Sequence, residues 1–178
     1  MYKRQVDEFI QQMERKFGKE APLTKKRGKR HSYLGMDLDY TNKGEVTIDM
    51  REYISSILDQ VPDDMKGEAL TPAANHLFQV NTDNPDLLDE QQSTLFHHIT
   101  MQLQYLSQRG RPDIRTAIAF LSSRVQKPDQ DDYKKLARVI CYLRKTIDLM
   151  LVLSANGSGE IEWSVSYTHL TLPTTSRV

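Results

Sequence analysis

Lys134, Arg138 and Lys145 are spaced i, i+4 and i+11, which puts three cations on one side of a helix. Arg115 and Arg124 add positive charge from the segment just before. Such a face does not make or break bonds. It can contact a polyanion, phosphate oxygens above all. A plain solvated surface is the alternative, because lysine and arginine are normally outside. Groups for covalent chemistry are scarce. The acid pairs Asp63-Asp64 and Asp131-Asp132 each sit at a predicted helix boundary, where end-capping explains them. His97 and His98 are adjacent, hence about 100° apart on a helix, and cannot chelate one ion together. Cys141 is the only cysteine, which excludes an internal disulfide and a cysteine metal cluster. No Ser/His/Asp or Cys/His arrangement is legible.

Two helices must carry the basic residues. In the first, Ile114, Ala117, Ile118, Leu121 and Val125 recur at helical spacing. Pro112 and Asp113 suit its first turn, proline by its fixed φ and the acid by the positive end of the dipole. Lys127-Pro128-Asp129 stops that helix and opens the next. Asp129 is the expected N-cap, with Asp131 and Asp132 in the first turn. Tyr133, Leu136, Ala137, Ile140 and Leu143 form the second apolar face, and Arg144 and Lys145 end it where cations suit the dipole.

Earlier in the chain, Val6, Phe9, Ile10, Met13 and Phe17 mark an amphipathic helix over 6–17. A basic connector, 19–30, follows and includes Lys25-Lys26-Arg27-Gly28-Lys29-Arg30. It reads as a surface loop, a localisation signal or a phosphate-contacting loop. Period-two alternation from Tyr33 to Tyr40, a turn at Asn42-Lys43-Gly44 and a return through Val46, Ile48 and Met50 predict one hairpin. Tyr53, Ile54, Ile57, Leu58 and Val61 predict a helix over 51–61, ended by Pro62. Residues 67–74 are an extended connector and 79–86 a loop. The longest helix is expected over 87–108, with Leu88, Leu95, Ile99, Leu103 and Leu106 as its stripe. Beyond Thr146, the runs 149–153 and 160–165 flank Asn156-Gly157-Ser158-Gly159, a strand–turn–strand signal.

The chain has 178 residues, enough for one modest domain, and its net charge of zero hides blocks. Residues 1–35 hold ten Lys/Arg against four acids, 36–100 three against thirteen, and 101–146 ten against four. Such blocks suit a protein that meets a polyanion with some surfaces only. No run approaches the ~20 apolar residues of a membrane span, and no signal peptide is visible. The expected setting is intracellular, cytoplasm and nucleus not being distinguishable.

The order Arg111-Pro112-Asp113-Ile114, then Phe120-Leu121-Ser122, Pro128-Asp129, Asp132-Tyr133-Lys134-Lys135-Leu136, and Tyr142-Leu143-Arg144-Lys145-Thr146 resembles the segment after the polymerase palm in copia-type LTR retrotransposon polyproteins. Tyr33-Leu34-Gly35-Met36 is similar to the aromatic-Leu-Gly element of reverse transcriptases, the primer grip, which holds the primer's 3′ end. A glycine there lets a nucleic-acid backbone approach a strand closely. Glu162-Trp163-Ser164-Val165 resembles the opening of ribonuclease H, but Ser166 stands where that family has a metal-binding aspartate.

The resemblance implies an α+β fold with a primer-grip-like β-hairpin, a helical thumb-like bundle and a terminal two-strand start of a ribonuclease H sheet. Its expected parts are a palm end at 6–50, connector and thumb-like helices at 51–146, and ribonuclease H opening strands at 147–165. Residues 1–5 and 166–178 fit no part of the pattern and are expected to be non-native tips. The implied role is to hold RNA/DNA primer–template duplex through Tyr33, Leu34, Gly35 and Met36 and through Arg115, Arg124, Lys134, Arg138 and Lys145. The remainder of the polyprotein is the implied protein partner. The complete polymerase would use Mg2+ on palm aspartates that include a Tyr-x-Asp-Asp turn. No such run occurs in this sequence, so no cofactor is expected on this part and no polymerisation by it alone. A non-catalytic helical protein-interaction module and a decayed reading frame are the rivals. A helix-turn-helix DNA reader is disfavoured, because Asp131 and Asp132 would face phosphate.

Overall fold

The computed structural model describes residues 2–81 and 85–155. Over these the chain is mixed, with five α-helices and a small antiparallel sheet. Helix α1, Tyr2–Phe17, starts before the predicted Val6. Its apolar face is only partly covered: Ile10 and Met13 are half-buried, but Val6 is 52% exposed, Phe9 61% and Phe17 44%. Ion pairs from Lys25 to Glu14 and from Arg27 to Asp7 tie it to the basic connector.

The sheet departs from the expected single hairpin. Strand β1 is Arg30–Tyr33, β2 is Met36–Asp39 and β3 is Glu45–Asp49, each antiparallel to the next. The run expected as one strand from Tyr33 to Tyr40 therefore folds back at Leu34 and Gly35, with Tyr33 opposite Met36. Alternation is blind to this turn, because residues paired across an antiparallel ladder share a face. Met36, Leu38 and Ile48 belong to the side that packs on the core.

A fourth strand, β4, Leu151–Ser154, pairs antiparallel with β3. The first of the two strands expected within 147–165 thus joins the hairpin sheet. The remaining expectations for the C-terminus, the turn at 156–159, the strand at 160–165 and the tip at 166–178, lie outside the described residues.

Helix α2, Arg51–Leu58, buries Ile54 and Ile57. A 3-10 turn at Asp63–Met65 follows Pro62 and buries Met65. Helix α3, Glu90–Arg109, begins at the N-cap Asp89, whose side chain accepts from the Gln92 amide. Leu95 lies partly inside, while Phe96, Ile99, Leu103 and Leu106 are buried. This helix is the hub, packed against α2 and against two further helices. These are α4, Arg115–Arg124, entered through a 3-10 turn at Pro112–Ile114, and α5, Gln130–Lys145.

The predicted boundary between α4 and α5 is observed. Asp129 caps α5, its side chain accepting from the Asp132 amide, and the Asp132 side chain accepts from the Asp129 amide in return. The reciprocal box satisfies two donors that a helix start leaves free. Ile114, Ala117, Ile118 and Leu121 meet Leu136, Val139, Ile140 and Leu143 in one core. Each fully buried aliphatic side chain there contributes about 1.5–3 kcal/mol. No helix among the described residues is long and apolar enough to cross a membrane.

Candidate nucleic-acid interface

The four residues of the aromatic-Leu-Gly element form the tip of the β1–β2 hairpin. Leu34 and Gly35 both have positive φ, 50° and 73°, as a two-residue turn matched to strand twist requires. Tyr33 and Leu34 stand into solvent at 61% and 60% exposure, whereas Met36 is buried at 7%. The tip is braced from below. The Tyr105 hydroxyl of α3 donates to the Leu34 carbonyl at 2.6 Å, and the Tyr53 and Tyr105 rings meet edge to face at 5.5 Å. Arg109 lies over the Tyr105 ring at 5.7 Å. Burial raises the Tyr53 pKa above its ordinary value, and the neighbouring Tyr105 adds to this.

Gly35 is thus required by the turn itself, besides any approach of nucleic acid. Leu34 is the unusual residue, since an L side chain in the left-handed region is strained by about 1–2 kcal/mol. Asparagine tolerates that region. Leu34→Asn is expected to raise stability by about 0.5–1 kcal/mol, read as a higher urea midpoint. A lower midpoint would show that Leu34 contributes more through packing than it costs in backbone.

The basic residues separate into three settings. Arg124 is occupied internally: its Nε donates to Asp132 Oδ2 at 3.0 Å and its Nη2 lies 3.7 Å from Asp129 Oδ2. It steadies the α5 N-terminus, and burial of Asp132 pushes that carboxyl above its ordinary pKa despite the pairing. Arg115 is exposed on α4 and lines a shallow cleft with Gln104, Ser107 and Gln108. Lys134, Arg138 and Lys145 do share one face of α5, as their spacing predicts, but the face is not bare. The connector beyond Met65 lies along it. Arg138 Nη2 donates to Thr71 Oγ1 at 3.0 Å, and Lys145 Nζ pairs with Glu68 at 3.0 Å. The Glu68 side chain is 71% exposed, so this is a surface pair of little strength that a phosphate can replace. Lys134 is exposed.

Several contributors were missed. Lys135 is buried, its Nζ donating to the Gln79 carbonyl at 2.6 Å and pairing with Asp131 at 2.7 Å. Tyr133 reaches the Asp64 carboxylate at 3.1 Å. Burial and that hydrogen bond push the tyrosine up to about 12. Tyr105 and Arg109 brace the hairpin tip. A tyrosine hydroxyl signals that a partner is needed when buried, but nothing local says which carbonyl. Among the described residues no group of three or more His, Cys, Asp or Glu lies together to hold a metal ion. His98 instead meets Gln60 Oε1 at 3.1 Å.

The residues that carry the family-like pattern are joined in space. Arg111, almost fully buried, donates from Nε and Nη2 to the Asp113 carboxylate and from Nη1 and Nη2 to Thr146 O and Oγ1. Its guanidinium lies over the Tyr142 ring at 5.5 Å, and the Tyr142 hydroxyl donates to Asp113 at 2.8 Å. The start of α4 is thereby locked to the end of α5.

Over 124 residues the chain is 27% identical to a transposon Ty5-1 protein of Saccharomyces cerevisiae, a match covering 70% of this chain and 39% of that protein. The chain thus spans well under half the length of the curated relative it matches. No protein-family model matches the chain, and no solved structure matches it significantly. The similarity supports a retrotransposon origin.

Proposed function

We propose that the chain is part of a copia-type retrotransposon RNA-directed DNA polymerase, and that it holds primer–template duplex without performing the copying chemistry. The observation that carries this reading is the hairpin tip. Tyr33 and Leu34 are exposed on a strained turn whose carbonyl is clasped by Tyr105. Strain kept in a braced, solvent-facing turn suits a contact site, and an exposed aromatic beside an aliphatic suits a terminal base or ribose. Lys134, Arg138 and Lys145 add phosphate contacts that do not depend on sequence, as a copying enzyme requires. Mg2+ would belong to the complete polymerase. The part proposed for this chain is binding and orientation.

The test compares a hybrid duplex carrying a recessed primer end with a blunt hybrid of equal length. One base stacked on an aromatic contributes about 1–3 kcal/mol, so the wild type is expected to prefer the recessed end roughly five- to a hundredfold. Tyr33→Ala with Leu34→Ala is expected to erase the preference and keep salt-dependent duplex binding. Equal wild-type affinity for the two substrates would remove the grip role.

A protein-interaction role draws on a different observation, the partly bare apolar face of α1 with Val6, Phe9 and Phe17 exposed. In the polymerase reading the remainder of the polyprotein covers that face.

A further inference from the structure

We infer that the cavity between the connector around Thr71 and helix α5 is a seat for a single phosphate group. The cavity holds about 220 Å³ and is lined by Lys134, Lys135, Arg138 and His76, with Ala73 and Leu77 among its apolar walls. That volume lies below the roughly 300–1,000 Å³ of pockets that enclose a whole drug-sized ligand, so the occupant is one group and not an entire nucleotide.

No carboxylate among the described residues lines the cavity. The charge of Lys135 is met by Asp131, which leaves Lys134 and Arg138 as surplus positive charge beside apolar walls, where electrostatic attraction is stronger than in water. Arg138 is held for this use. Its Nη2 donates to Thr71 Oγ1, and the Thr71 hydroxyl donates onward to the Ala73 carbonyl at 2.9 Å. The Arg138 Nε is shut off from solvent and has no acceptor among the described residues. A buried guanidinium N–H without an acceptor is costly, and the rigid fork of that group matches a phosphate oxygen pair. A small turn of the Arg138 side chain brings its guanidinium donors, the Nε proton included, to an oxyanion in the cavity, with Lys134 as a second contact. As the seat of a backbone phosphate the site rests on the duplex-holding reading; as an oxyanion site it stands without it.

The experiment follows the Arg138 Nε–H signal of the 15N-labelled full chain, identified by its loss in Arg138→Lys. Inorganic phosphate is titrated at constant ionic strength against chloride, and a hybrid duplex is titrated separately. A saturable shift with phosphate is expected, and Lys134→Gln is expected to weaken it about tenfold without changing the fold, since Lys134 is exposed. If the duplex moves the same signal, the phosphate is that of a nucleic-acid backbone. If only inorganic phosphate moves it, the site takes free phosphate and the duplex binds elsewhere. A signal that neither probe moves overturns the inference even where the duplex binds with normal affinity, as does a phosphate response that chloride reproduces or that Lys134→Gln leaves unchanged.

Discussion

Arg111→Ala is expected to lower stability by about 3 kcal/mol, the low end of the cost of breaking a buried ion pair from one side, because Arg111 is buried but the Asp113 side chain is 28% exposed. The substitution leaves the Asp113 carboxylate without its fork of donors and deprives Thr146 of two hydrogen bonds. It also removes the cation from the Tyr142 ring. Arg111→Lys keeps the charge but loses the planar fork, so it should recover less than half of the loss. Arg111→Met combined with Asp113→Leu should be milder than Arg111→Ala, because no charge is then stranded. Urea denaturation with an unchanged m-value reads the difference directly. A loss below about 1 kcal/mol would mean that water reaches the pair.

The same network sets a pH signature. Burial would raise the Asp113 pKa, but hydrogen bonds from Arg111 and Tyr142 and the Arg111 charge together hold it below its ordinary value. A depressed folded-state pKa contributes stability that is present above the unfolded value and lost as pH falls through the folded one. Asp132 has the opposite sign, since burial raises it. Its protonation favours the fold, a contribution lost as pH rises through its folded value. Asp113→Asn should therefore flatten the acid limb of the stability curve and leave the opposing drift from Asp132 visible.

Replacing Lys134, Arg138 and Lys145 together by Gln is expected to flatten the salt dependence of duplex binding by roughly two to three units of slope. Each phosphate contact releases counterions, and the slope is near −0.9 per contact for B-form DNA. The ties of Arg138 to Thr71 and of Lys145 to Glu68 do not preclude this: the Lys145–Glu68 pair lies at the surface and exchanges for phosphate, and Arg138 spends only Nη2 on Thr71, which leaves its other donors for phosphate. Stability should move little for Lys134 and Lys145, both exposed, with changes within about ±0.5 kcal/mol. Arg138 serves as an internal control, since its part-buried side chain must be shown not to loosen the connector. Parallel lines for wild type and variant in a titration at several salt concentrations would mean that this face of α5 does not touch the backbone.

Helix boundaries were legible where a local device marks them. Asp129 and Pro128 announce the start of α5, and the Ile114 to Leu121 periodicity announces the buried side of α4. The turn at Leu34 and Gly35 was hidden, because a leucine in the left-handed region carries no turn signature and alternation passes through unchanged. The basic face was placed correctly on α5, but nothing in the sequence says that the connector around Thr71 would lie along it. Arg111 and Lys135 were missed as buried groups, since cations go inside only when partners distant in sequence are waiting. For Arg111 that partner is Thr146, and for Lys135 it is the Gln79 carbonyl. The pairing of β4 with β3 depends on how every intervening helix packs, which no window of sequence reports.

That last pairing has a kinetic side. Strands β3 and β4 are separated by on the order of a hundred residues, so the loop they close carries a large entropic cost that the packed helices must first reduce. During synthesis β3 waits as an unpaired edge until α2 to α5 have been made and have docked. An edge left open in this way is where a growing chain pairs with the wrong neighbour. The slowest folding step should therefore be the arrival of β4. A chain truncated before Leu151 should keep its helices yet associate through β3.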